Sequence, residues 1–197
     1  MIDDMIHRHV ISLVFTANFA LTLLALAPTD AHSRRTGTQR SEPINLIVIH
    51  STGGPTCDAK TGTPIWVGAG TMEDNLRTIE AHPVLGIHYM IDRDGTLRKS
   101  IPENQIAHHV YRHSTRSIAI ELINDGDGID PFPESQIATL VDVLRDISKR
   151  HNITRDGIKR HSDLDQAKLP CDRTQRRKVD PGNAFPYEKT LERVFRD

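Results

Sequence analysis

The chain has 197 residues, 25 Lys and Arg against 26 Asp and Glu, and 37% hydrophobic content. That length fits one ordinary domain with a short appendage, and the composition excludes both a disordered chain and the strong positive field of a nucleic-acid binder. An aromatic fraction of 5% also argues against a base-stacking platform, so no nucleic-acid partner is expected, and with no coiled-coil pattern a monomer is the default.

Val10–Ala27 is an 18-residue apolar run, preceded by His7, Arg8 and His9 and followed by the small residue Ala31. It predicts a signal peptide over residues 1–31 with cleavage after Ala31. A retained anchor is the alternative, since the run is near the lower limit for spanning a bilayer. Asp3 and Asp4 fit a basic leader poorly, which agrees with translation starting at Met5. Removal of the segment leaves no membrane span and implies a periplasmic or secreted protein. The remaining chain carries 24 basic and 23 acidic residues, a balance that names no partner.

Residues 32–43 are polar and aperiodic and predict a flexible leader; the domain proper is placed at 44–197. Ile44–His50 is a nearly continuous aliphatic run, the pattern of a central strand buried on both faces. Ser51–Gly70, rich in Gly, Thr and Pro, predicts a long functional loop. Its Trp66 reads as a local packing residue, with substrate contact as the alternative. Thr71 can cap a helix through His82, with Met72, Leu76 and Ile79 at helical spacing. His88–Asp92 and Leu97–Ile101 flank Asp94-Gly95, a hairpin signal. Ser117–Ile123 predicts a strand interrupted by Glu121, a carboxylate costly to bury unless it is paired or used. Asn124–Pro133 has the acidic spacing of a calcium loop but no bidentate Glu at its end, and reads as a solvated turn. Glu134–His151 is the clearest helix, with Ile137, Leu140, Val141, Leu144 and Ile147 on one face. Ile153–Arg160 is a short connection or a last strand, and Tyr187–Phe195 predicts a closing helix. The sum is an α/β domain, a central mixed β-sheet flanked by helices.

Two cysteines, Cys57 and Cys171, lie in loop-like sequence. In an oxidising compartment they read as a disulfide, with a free or metal-bound Cys171 as the other reading. Such a bridge closes a loop of more than a hundred residues, which in the chain-entropy account stabilises by roughly 4–5 kcal/mol.

The stretch Lys159–Pro186 holds His161, Lys178 and Asp180. With His50 at the end of its strand, two histidines and one carboxylate from separated segments can form a three-ligand zinc site with an open fourth position, as hydrolytic zinc requires. Each residue alone has a plainer reading. His50 could bond a backbone carbonyl, Lys178 could belong to a solvated basic turn with Arg176 and Arg177, and His88 among apolar strand residues reads as core. His82, His113 and His151 read as surface histidines near element ends.

Five segments in order carry a family resemblance. Ile47-Val48-Ile49-His50-Ser51-Thr52, Gly86–Lys99, Ile106-Ala107-His108-His109, Ser117–Leu122, and the pair Arg160-His161-Ser162-Asp163 with Lys178–Pro186 resemble the type-2, zinc-dependent N-acetylmuramoyl-L-alanine amidases, relatives of phage amidases and peptidoglycan recognition proteins. The resemblance implies that family's fold and a peptidoglycan or muropeptide substrate. It implies Zn2+ held by His50, His161 and Asp180, Glu121 as the carboxylate that handles the proton of the attacking water, Lys178 as a stabiliser of developing negative charge, and His109 as a groove-lining substrate contact. Departures are plain. Eighteen residues separate His161 from Asp180, more than the family usual, which keeps Asp172 and Cys171 open as third ligand. His108 stands where Trp is common, Ile87 where some relatives carry a catalytic Tyr, and Ala119 where Gly is usual. Non-catalytic muropeptide binding and hydrolysis of anhydro-muropeptides or another amide are the competing functions.

Overall fold

The computed structural model describes residues 38–196; the predicted signal peptide and its cleavage site lie outside the described residues. In chain order the strands and first helix are β1 (Thr38–Gln39), β2 (Leu46–Ser51), β3 (Gly54–Cys57), β4 (Pro64–Val67), α1 (Met72–Ala81), β5 (Tyr89–Ile91), β6 (Leu97–Lys99), β7 (Gln105–Ile106) and β8 (Ser117–Leu122). They are followed by α2 (Glu134–His151), β9 (Ile158–Arg160), α3 (His161–Leu164) and α4 (Tyr187–Val194), with single 3-10 turns at Ser114–Arg116 and Arg155–Gly157.

The main sheet runs β6-β5-β8-β2-β9. Its β5–β8, β8–β2 and β2–β9 pairs are parallel and β5–β6 is antiparallel, the mixed sheet expected. Central β2 is buried at every position, which is why it reads as a continuous apolar run rather than an alternating one.

Alternation along the strands still divides the two faces. Ile47, Ile49, Ile118, Ile120, Tyr89 and Ile91 point one way and pack on the apolar stripe of α2 (Ile137, Leu140, Leu144, Ile147) and on Leu191 and Val194 of α4. The other parity faces the opposite layer: Met90 and Ala119 meet Met72 and Leu76 of α1, and Leu46 and Val48 meet Val110. His50, Ser117 and Glu121 share this second parity, so one strand pattern builds the core on one face and leaves polar groups on the other. Ala119 is fully buried against α1, so its methyl fills space there.

Helix ends follow local chemistry. Thr71 Oγ1 accepts the Asp74 N–H at 3.1 Å, and α2 stops at Asn152 in the left-handed region (φ 53°), a conformation Asn tolerates. The Asp-Gly turn joins β5 to β6 as predicted.

Two expectations change. Ser51–Gly70 is not a structureless loop but contains the β3–β4 hairpin; Gly, Thr and Pro hid the pairing because its strands carry no apolar alternation. The end of the expected leader is structured: β1 pairs with β7. Arg40 then donates to the carbonyls of Glu103, Ser114, Thr115, Gln105 and Ser117. The acidic loop after β8 is an irregular turn as expected, its carboxylates bonding backbone both within it, Asp127 Oδ1 accepting Ile129 N at 2.8 Å, and beyond it, Asp125 Oδ1 accepting Ala69 N at 2.6 Å. Trp66 is half-exposed and donates its Nε1 to the Asp125 carbonyl, and His88 is core, its Nδ1 accepting Ala119 N at 3.0 Å. Among the described residues no helix is long and apolar enough to cross a membrane.

Candidate metal centre and its cleft

Three adjacent parallel strands deliver the site. Glu121 lies near the carboxyl end of β8, His50 at that of β2, and His161 opens α3 directly after β9. His50 and Glu121 are in-register neighbours, so their side chains emerge side by side from one face, about 5 Å apart at the backbone. Ligands of open α/β sheets characteristically bind outside the carboxyl ends of parallel strands. Asp180 arrives from the loop before α4 and is anchored where its carbonyl accepts Ser162 N at 3.0 Å. Gly182 makes that approach feasible: its φ is +87°, and a Cβ there would fall 2.6 Å from the Gly126 carbonyl oxygen.

The donor atoms converge tightly. His50 Nδ1 is 2.9 Å from His161 Nδ1, His161 Nδ1 is 3.0 Å from Asp180 Oδ2, and His50 Nδ1 is 3.2 Å from Asp180 Oδ2. All three residues are buried, and they form a group able to hold a metal ion. The other two third-ligand candidates are occupied elsewhere. Cys171 is bridged to Cys57, and Asp172 Oδ1 accepts Thr174 N and Oγ1 at 2.8 and 2.6 Å. The long His161–Asp180 spacing is absorbed by a segment that folds back on itself, Leu169 N to Gln175 O at 3.0 Å and Arg177 N to Ala167 O at 2.8 Å.

Electrostatics sort the titratable groups. Burial, then the neighbouring His161, pushes His50 down to about 4; burial and the same histidine cluster hold His109 well below the usual value. Both imidazoles are therefore neutral at pH 7. Burial alone would raise the Asp180 carboxyl, but the facing imidazoles of His161 and His50 outweigh it and keep the group ionised. Glu121 goes the other way: burial and the nearby Asp180 charge raise it to about 8, against the opposing pull of Lys178.

These residues floor a cleft of about 680 Å³. Lys178, His108 and His109 line it, together with Leu85, Ile87, Thr56, Cys57 and Leu169. The disulfide thus joins two cleft walls. Sequence reasoning missed Ser117 and Asp165. Ser117 Oγ lies 2.9 Å from His109 Nε2, and an Asp165 oxygen lies 4.0 Å from His161 Nε2. Ser117 opens a family-like segment but reads there only as strand, Asp165 lies in no such segment, and only the fold brings them to the histidines. Both ring nitrogens of His109 are engaged, one with Ser117 and one with His50 Nε2 at 2.9 Å, so it meets the cleft through its ring edge rather than through a vacant nitrogen.

A strand-end histidine, a carboxylate on the next strand and a second histidine and aspartate at one cleft define a hydrolase site. Residues 40–183 match the Amidase_2 family, N-acetylmuramoyl-L-alanine amidase, and the chain belongs to that family: it is an amidase that hydrolyses amide bonds of peptidoglycan. It is 26% identical over 171 residues to the 1,6-anhydro-N-acetylmuramyl-L-alanine amidase AmpD of Haemophilus influenzae, covering 78% of this chain and 84% of the relative. It is 32% identical over 104 residues to the N-acetylmuramoyl-L-alanine amidase AmiD of Escherichia coli, covering 45% of this chain and about a third (34%) of that relative. The fold is shared with E. coli AmiD in complex with anhydro-N-acetylmuramic acid-L-Ala-D-gamma-Glu-L-Lys (TM-score 0.59, 23% identity, 81% of this chain and 61% of that one). It is shared likewise with the amidase LysC of Clostridium intestinale (TM-score 0.55, 22% identity, 81% and 94%).

Proposed function

We propose that this amidase uses zinc, held by His50, His161 and Asp180, to cleave the bond between the lactyl group of N-acetylmuramic acid and L-alanine of the stem peptide. The observation that carries the reading is the donor triangle. Tetrahedral zinc with ligands at about 2.0–2.1 Å requires donor atoms about 3.3 Å apart, and the three atoms lie 2.9, 3.0 and 3.2 Å apart. Two neutral imidazoles and one carboxylate are also the donor set that zinc takes, and they leave a net positive centre. The residues fit the ion.

Bound zinc would supply a Lewis acid that polarises the scissile carbonyl and makes water nucleophilic at neutral pH. The protein's residues supply the rest. Burial raises the Glu121 carboxyl in the metal-free protein; the positive charge of bound zinc would oppose that shift, and as a carboxylate Glu121 takes the proton of the attacking water and returns it to the departing alanine nitrogen, so one group serves both steps. Lys178, on the cleft wall, offsets the negative charge that develops on the carbonyl oxygen. Water is consumed, and the products are a lactyl carboxylic acid and a free peptide amine.

The relatives named for anhydro-muropeptides support a small muropeptide as an alternative substrate to polymeric peptidoglycan. The Cys57–Cys171 bridge and the N-terminal apolar run favour an oxidising, periplasmic or extracellular site of action. The test is digestion of purified peptidoglycan and of anhydro-muropeptides, followed by mass spectrometry. Intact stem peptides with a free alanine amine, lost on chelation and restored by zinc, are the expected products. Cleaved glycan, or binding without turnover, would overturn the reading.

A further inference from the structure

We propose that His109 and Ser117 form an orienting relay that fixes the tautomer of His50, so that its Nδ1 lone pair is presented to the metal. The proposal rests on the zinc reading above. It begins at a backbone carbonyl, which can only accept. Ser117 Oγ lies 2.8 Å from the His113 carbonyl oxygen, so the hydroxyl proton is committed there. Ser117 Oγ must then accept from His109 Nε2, 2.9 Å away, which places the ring proton of neutral His109 on Nε2 and leaves Nδ1 bare. That bare Nδ1 faces His50 Nε2 at 2.9 Å, so neutral His50 carries its proton on Nε2. Its Nδ1 is left as a lone pair in the triangle with His161 and Asp180.

The opposite tautomer is penalised at each step. A proton on His50 Nδ1 would set two ring lone pairs against each other at His109, or force His109 to turn its own lone pair on Ser117 and break the bond to His113. Each option breaks a buried bond of the relay, against the single contact that a His50 Nδ1 proton would gain with Asp180 Oδ2 at 3.2 Å, where His161 Nδ1 already lies 3.0 Å away, and each removes the lone pair a metal needs. A metal-ligating histidine commonly has its other ring nitrogen fixed by a partner that sets the tautomer; here the partner is a second imidazole, with its own partner behind it.

The anchors are rigid. Ser117 is fully buried at the start of β8, on the strand face that also bears Glu121. Ser114 Oγ accepts the backbone N–H groups of His109 and Val110, both at 3.1 Å. Arg40 donates to the carbonyls of Ser114, Thr115 and Ser117, so the residue just after β1 clamps the turn that carries the relay. His109 is thus a positioning residue.

The test uses the full chain. Long-range proton–nitrogen NMR of the zinc-free protein should show His50 and His109 each protonated on Nε2. In Ser117→Ala that single tautomer should become a mixture at both rings. Zinc affinity, measured by competition with a chromophoric chelator, should fall about 10–100-fold in His109→Leu. In His109→Asn, whose side-chain oxygen can replace the Nδ1 acceptor, it should return close to the wild-type value. A wild-type His50 protonated on Nδ1, or an unchanged zinc affinity in His109→Leu, overturns the relay. Should His109→Leu fail to fold, the smaller Ser117→Ala change carries the same tautomer and affinity readouts. A wild type that holds the tautomer yet binds no zinc overturns the zinc reading, and with it the relay's purpose.

Discussion

Asp180 and Glu121 are carboxylates of one cleft driven to opposite states. Asp180 gains two histidine partners and stays ionised; in the metal-free chain Glu121 is desolvated beside that negative charge and is raised to about 8. Separated acid strengths at one site are how two carboxylates take two roles. Asp180→Ala is expected to lose stoichiometric zinc, and Asp172→Ala to keep it, by metal analysis after dialysis. Glu121→Gln is expected to keep zinc and lose amidase turnover by about 10²–10⁴-fold, the span of general acid–base catalysis. The raised carboxyl also links to stability. Between the unfolded value and about 8 the folded zinc-free chain holds a proton that the unfolded chain has released, so this group's contribution falls as pH rises, by at most about 1.4 kcal/mol per pH unit. Denaturant melts in chelator are therefore expected to show Glu121→Gln gaining on wild type from pH 5 to pH 8. His50, Glu121, His161 and Asp180 were all legible from residue type and family spacing. The intact Lys178-Val179-Asp180-Pro181-Gly182 favours Asp180 over Asp172 and Cys171; how the insertion before it folds back on itself was not legible.

The insertion and the β3–β4 hairpin form the two elements that standard patterns miss. Neither has apolar periodicity; each is held by backbone bonds and by the Cys57–Cys171 bridge over a separation of 114 residues. Cys57, Leu169 and Pro170 line the cleft, so the bridge ties a hairpin wall to an insertion wall. The double variant Cys57→Ser with Cys171→Ser is expected to lose about 2–5 kcal/mol of folding stability while keeping zinc, since neither cysteine is among the converging donors. Thermal melts and metal analysis check both halves. β1 shows a similar blind spot. Residues 38–40 look like leader by composition, and Arg40 becomes a structural clamp only because five backbone carbonyls converge on it.

Across the whole molecule the sheet separates tasks. One face, against α2 and α4, is the apolar core; the other carries His50, Ser117 and Glu121 toward the cleft. Core and site are therefore expected to respond independently. Ile147→Ala, at a fully buried position of α2, should cost about 2–5 kcal/mol of stability and leave zinc affinity unchanged in the chelator competition. The sequence by itself determined the α/β class, the central strand, the long amphipathic helix, the amidase family and the principal polar residues, because each is written in local periodicity or in a short motif. Tertiary structure alone decided the hairpin, the anchoring of the N-terminal strand, the convergence of His50, His161 and Asp180, and the juxtaposition of His113, Ser117, His109 and His50. Those depend on which loops meet in space, and two residues about sixty positions apart leave no mark on each other in the chain.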